Sequence, residues 1–124
     1  MQFKDISHDT KTVYRLKERE QVVFFLLNRS GDITFELSGF SAEAHVFAFF
    51  IGKQSNQCTL TISQNHLAPQ TISRVLVKSI LHDESSFSYQ GTLHIAKEAT
   101  LSDASQENRN LLLSPEAKAF SEPI

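Results

Sequence analysis

Short apolar runs that alternate with a period of two, and recur at nearly even spacing, constrain this chain more than any other feature. In Ile33-Thr34-Phe35-Glu36-Leu37 the apolar residues share one face, and Cys58, Leu60 and Ile62 alternate with Thr59, Thr61 and Ser63. The pattern returns at Val75 and Val77, and again at Phe87, Tyr89, Gly91, Leu93 and Ile95. Successive runs begin near residues 22, 33, 45, 58, 72 and 86, a spacing of about 11 to 14 residues that suits an all-β domain. Period two dictates strands with one buried face. It leaves two architectures open, an antiparallel β-sandwich and a coil of β-rungs, because both bury every other residue. The links Asn28 to Asp32 and Gly52 to Gln57 carry turn residues that would also serve hairpins.

The 124 residues, read as a single domain over 1–124, can bury roughly two-thirds of the unfolded surface. Ten Phe with only four Gly and three Pro exclude a disordered or collagen-like chain. Twelve Lys and Arg stand against fourteen Asp and Glu, with no like-charge block to track phosphates, so nucleic acid is not expected as a partner. No apolar run is long enough for a membrane span or a signal sequence, and a lone cysteine forms no internal disulfide. A reducing, cytoplasmic setting is the expectation. Two segments, Ala104 to Arg109 and Pro115 to Ser121, are polar enough to read as loops, and Ser114 to Ala119 carries a cap, a first-turn proline and an acid, so it competes as a short helix.

From Phe35 onward the order of short motifs is similar to one family. Leu37-Ser38-Gly39 is followed by His66-Leu67-Ala68-Pro69-Gln70-Thr71-Ile72-Ser73, then Val77-Lys78-Ser79-Ile80-Leu81-His82-Asp83, then Phe87 to Gly91. Gln106 through Leu111-Leu112-Leu113-Ser114 and Ala117 through Ile124 complete the series. This order resembles the core of the SufB/SufD iron–sulfur cluster assembly proteins. The resemblance implies a right-handed parallel β-helix and a scaffold function in the SUF system, without enzymatic activity of its own. It implies SufB-like and SufC-like partners and, at most, a transient iron–sulfur cluster within a larger complex. Thr71, Ser73, Lys78, Gly91, Gln106 and Asn108 are its motif residues. SufB-type members carry a functional cysteine where Asn108 stands, so the chain is the more SufD-like. The family continues past Pro123-Ile124 into a metal-site histidine region and a helical end, so the chain is expected to be a truncated core, either a fragment or a minimal relative. A stand-alone interaction or small-ligand module is the alternative function.

Among residues that could carry chemistry, Cys58 is the only thiol and could contact sulfur or iron as a thiolate. Its alternation with Leu60 and Ile62 reads equally as a packed core thiol. His66 could ligate metal or order a turn. His82 and His94 read as surface residues, and Ser73, Ser79 and Ser86 as ordinary strand or turn residues. Glu18 with Glu20, and Asp83 with Glu84, are acidic pairs at strand ends that read as solubilising charge. No Cys-x-x-Cys or His-x-x-x-His spacing occurs, so neither stable metal binding nor a stably held cofactor is expected. Self-association is expected as a twofold homodimer through the strands between Leu93 and Leu113, covering a last rung that ends at Pro123-Ile124; a cap folded from Pro115 to Pro123 is the alternative.

Overall fold

The computed structural model describes residues 1–122 and contains ten strands. They are β1 (Gln2–Asp5), β2 (Val13–Leu16), β3 (Gln21–Leu27), β4 (Gly31–Leu37) and β5 (Glu43–Gly52), followed by β6 (Gln57–His66), β7 (Ile72–Leu81), β8 (Ser86–Ile95), β9 (Asp103–Leu112) and β10 (Lys118–Glu122). Odd strands form one sheet in the order β1-β3-β5-β7-β9, and even strands form the other in the order β2-β4-β6-β8-β10. Every neighbouring pair is parallel. Each strand therefore hands the chain to the opposite sheet and the next hands it back one rung higher. The result is a right-handed parallel β-helix, the handedness that right-twisted strands impose on parallel crossovers. The sandwich and the two hairpins are excluded by the parallel ladders: Asn28 to Asp32 and Gly52 to Gln57 are corners between sheets.

Those corners repeat one device. Arg19, Ser41, Gln70 and Leu101 each adopt a left-handed backbone, with φ between 58° and 62°. The first three amides reach the next rung, Arg19 N donating to Phe40 O at 2.8 Å, Ser41 N to Pro69 O at 3.1 Å and Gln70 N to Thr100 O at 2.9 Å. The opposite corners turn at Asn28, Gln54 and Asp83, also left-handed. There the Asn28 side chain accepts from Ile51 N at 2.8 Å and Asp83 from Gln54 N at 2.8 Å. Gly39 lies against the corner below, where a Cβ would stand 2.0 Å from the backbone nitrogen of Glu18.

The interior is narrow, and the inward residues of facing sheets fill it. In the first rungs they are aromatic: Tyr14, Phe24 and Phe35 meet with centroids 4.8 to 5.5 Å apart. Val46, Ala48, Leu60 and Ile62 continue the apolar column.

Three expectations need correction. Ala104 to Arg109 is not a loop but part of β9, paired to β7 from Ile72↔Asp103 to Leu81↔Leu112. Lys118–Glu122 is likewise a strand on β8 and not a loop. Ser114 to Ala119 forms no helix; a turn closes with Ala117 N donating to Ser114 O at 3.1 Å, and the chain then enters β10. The physical reason is shared. The open edges of β7 and β8 offer unpaired N–H and C=O groups, and pairing with them outcompetes a helix too short to stand alone in water. The expected chain end at Pro123-Ile124 lies outside the described residues.

Candidate functional site

Polar residues enter the interior on β6. The inward series Cys58, Leu60, Ile62 continues with Gln64 and His66, which are 1 % and 0 % exposed. His66 Nδ1 lies 2.7 Å from Thr71 Oγ1, and its Nε2 lies 2.6 Å from Ser73 Oγ. Gln64 Nε2 donates to the same Ser73 oxygen at 2.6 Å and to Ser105 O at 3.3 Å. Thr71 Oγ1 donates to Ala68 O at 3.0 Å and sits 2.9 Å from Ser102 Oγ, which accepts from Thr71 N at 3.1 Å. Counting hydrogens along this chain assigns the imidazole. The Thr71 proton goes to Ala68 O, so Nδ1–H donates to Thr71; Ser73 accepts from Gln64 and so donates to Nε2. His66 is a neutral Nδ1–H tautomer with both nitrogens engaged. Burial agrees, holding its pKa below the ordinary histidine value, with Asp103 opposing in part. Gln64 Oε1 is left without a partner.

A second polar group lies on the last rung. Tyr89 donates to Gln106 Oε1 at 3.0 Å, and Asn108 Nδ2 donates to Val77 O at 3.2 Å. Ser79 donates to Asn110 Oδ1 at 2.6 Å, and Asn108 and Ser121 are also bonded. Tyr89, Gln106, Asn108 and Ser121 border a cavity of about 270 Å³. Gly91 makes room for this group, since a Cβ there would stand 1.6 Å from Gln106 Oε1.

His66, Thr71 and Ser73 thus form one cluster, and Gly91, Gln106 and Asn108 belong to the other. Lys78 faces outward on β7, away from both. Cys58 is apart from all of them, at the opposite end of β6 from His66, roughly 26 Å away at about 3.3 Å per residue. It is 5 % exposed, its sulfur 3.7 Å from Arg29 O, and burial pushes its thiol up to about 11. A thiol held there is protonated at neutral pH and a poor sulfur acceptor. His94 is exposed, as expected of a surface residue, and His82 sits half-buried in a corner. Ser73 and Ser79 are not ordinary strand residues: both are interior, 0 % and 2 % exposed, and each completes a polar group. Gln64, Ser102, Tyr89 and Asn110 were not singled out by sequence. Gln64 had a signal, since it continues the inward alternation of β6. Among the described residues no group of three His, Cys, Asp or Glu side chains could hold a metal ion, and no helix is long and apolar enough to cross a membrane.

Compared with known families, residues 21–124 match the one described as SUF system FeS cluster assembly, SufBD core domain. No curated protein and no solved structure was found to match the chain.

Proposed function

The chain belongs to the SufBD core family of SUF-system iron–sulfur cluster assembly, and from that membership we propose that it works there as a non-enzymatic scaffold, acting through contacts with other proteins. The family match carries this reading, because it covers every strand from β3 onward. The interior is in keeping with it: thiol and imidazole stand at opposite ends of β6, and both imidazole nitrogens are already bonded. The cluster is cargo on this reading, held transiently in a complex with SufB-like and SufC-like proteins in the cytoplasm. Asn108, standing where SufB-type members carry a functional cysteine, supports reading the chain as the more SufD-like member. Residues 1–124 act as one domain.

Co-expression with the SufB-like and SufC-like proteins of the same source, with the tag on this chain, tests the proposal. Both should co-purify, and anaerobic reconstitution should colour the complex while the chain alone stays colourless with substoichiometric iron. Failure to capture either protein refutes the scaffold. A brown species on the chain alone that survives desalting and is lost in Cys58→Ser refutes the cargo reading. The stand-alone interaction module is favoured by one observation, an apolar groove of about 540 Å³ on the outside of the odd-strand sheet.

A further inference from the structure

The two sheets present opposite chemistry to the outside. Outward residues of the even sheet are polar, as in Thr59, Thr61 and Ser63 of β6 and Ser86, Ser88 and Gln90 of β8. That is the composition of a solvated sheet face. On the odd sheet, ladder pairing stacks outward residues into two ridges that run along the coil axis. One ridge is Leu27, Phe49, Lys78 and Arg109, and the other is Ile51, Ile80 and Leu111. Between them lies the apolar groove of about 540 Å³, with Phe25 lining its β3 end and the Phe25 and Phe49 rings 5.7 Å apart. That volume is of the size that holds a small ligand. The core does not need these residues: Leu27, Ile51, Ile80 and Leu111 are 37 to 54 % exposed, and the even sheet packs the same interior with polar residues outside.

We propose that this groove binds a free medium-chain aliphatic acid, its carboxylate on the Lys78 ammonium and its alkyl chain lying between the ridges toward Leu27. Width is the first argument. The ridges stand two residues apart, roughly 6.6 Å at about 3.3 Å per residue, which admits one extended chain. A helix with its side chains, about 10 to 12 Å across, is too wide to enter. Charge is the second. Lys78 is half-buried beside the apolar walls and has no ion-pair partner among the described residues. Arg109 stands beside it one rung on and already holds Glu107 at 2.6 Å, so the ammonium is the group that lacks an anion. Length is the third. From between Lys78 and Arg109 to Leu27 is about 12 Å, with strands about 4.8 Å apart. An extended chain gains about 1.2 Å per bond, as a backbone spanning ~3.6 Å over three bonds does, so about ten carbons fit. A membrane lipid fits less well, because Glu43, Asp103 and Glu107 share this face and the chain carries a formal charge of −2, leaving no basic field to draw it to anionic bilayers.

Isothermal titration calorimetry of the chain alone with sodium decanoate tests this independently of any role in cluster assembly. One-to-one saturable binding is expected, with Kd roughly 0.1 to 1 mM for a chain half-covered by an open groove. From hexanoate to octanoate to decanoate each step should tighten binding about fourfold, and dodecanoate should gain less than about twofold more. Decyltrimethylammonium, with the same tail and the opposite charge, should bind at least ~10-fold more weakly. Lys78→Glu and Ile80→Asp should each weaken decanoate at least ~10-fold, while Lys78→Arg stays within about threefold. Phe47→Ser removes an exposed aromatic on the same face outside the groove and should leave binding within about twofold. Far-UV circular dichroism checks that each variant folds; where one does not, the ligand series on the parent chain decides. No saturable heat at ~10 mM decanoate overturns the proposal. A fourfold gain that continues past decanoate, or a loss in Phe47→Ser equal to that in Ile80→Asp, shows adsorption on the open face and overturns the groove. Equal binding of decanoate and decyltrimethylammonium overturns the role of Lys78. Flotation with phosphatidylglycerol vesicles that Lys78→Glu abolishes would make the ligand a membrane lipid and overturn the free acid.

Discussion

Lowering the pH should destabilise this protein through His66. The imidazole is fully buried, accepts from Ser73 and donates to Thr71. Protonating Nε2 would point a new N–H at a Ser73 oxygen that already accepts from Gln64. The folded-state pKa is accordingly depressed, first by burial, against a partial opposing pull from Asp103. Between the ordinary value of 6.5 and the folded pKa, the unfolded chain binds a proton that the folded chain refuses. Stability is therefore full above 6.5 and falls as pH drops, with a limiting slope of about 1.4 kcal/mol per pH unit until the folded ring protonates. From pH 8 to pH 5.5 the loss through this residue is at most about 1.4 kcal/mol. Urea unfolding followed by far-UV circular dichroism across that range measures it. His66→Gln removes the titration and should flatten the profile. Ring-proton shifts give a second measure: His66 should titrate below its ordinary value of 6.5. An unchanged pH profile in His66→Gln, or a His66 titration at or above 6.5, would refute the reasoning.

Native Cys58 should react with a thiol reagent about 100-fold more slowly than in urea, because a rise from 9.0 to about 11 removes most of its thiolate; rapid native labelling would show an open site. Gly39→Ala should cost at least ~3 kcal/mol, since its Cβ would meet the Glu18 backbone at 2.0 Å and backbone there cannot give way; a midpoint near the parent value would rule that out. Gly91→Ala should cost about 1 to 2 kcal/mol by displacing the Gln106 amide from Tyr89, and less in a Gln106→Ala background, so additive losses in the double-mutant cycle would dismiss the coupling. Leu101→Gly should raise stability by about 0.5 to 1 kcal/mol by relieving a left-handed, 82 % exposed leucine; a lower unfolding midpoint would contradict this.

Strands β3 to β8 were legible because their inward residues are apolar and their spacing is even. The runs read near residues 22, 33, 45, 58, 72 and 86 begin strands at 21, 31, 43, 57, 72 and 86. β1 and β9 were not legible, for a common reason. Gln2 and Lys4, and later Gln106, Asn108 and Asn110, occupy inward positions with polar side chains, so the alternation carries no hydrophobic contrast. Nor could periodicity choose a coil over a sandwich, because parallel pairing is made by partners such as Glu43 and Ile72, or Ile72 and Asp103, across a full turn of chain. Only the family resemblance supplied that choice. In the site, Thr71 and Ser73 came from the resemblance, while their engagement by His66 depends on a corner that folds the chain back onto β6.

The illegible part of the fold and the candidate site share one physical origin. A coil interior is so narrow that a polar side chain entering it finds partners only on its own rung or the next. Polar residues must then arrive in stacked groups. Thr71 meets Ser102 one turn later, Gln64 reaches the Ser105 carbonyl, and Ser79 bonds Asn110. Once His66 and Ser73 replace aliphatic residues inside the coil, the following rung has to supply donors and acceptors, and β9 does so at Ser105, Gln106, Asn108 and Asn110. The polarity that made Ala104 to Arg109 read as a loop is thus the complement of the polarity on β6 and β7. An apolar β9 would leave Ser79 and Tyr89 without partners, at about 1 to 3 kcal/mol for each buried group. Gly91 fits the same requirement, since the Gln106 amide that meets Tyr89 needs the space a side chain would fill.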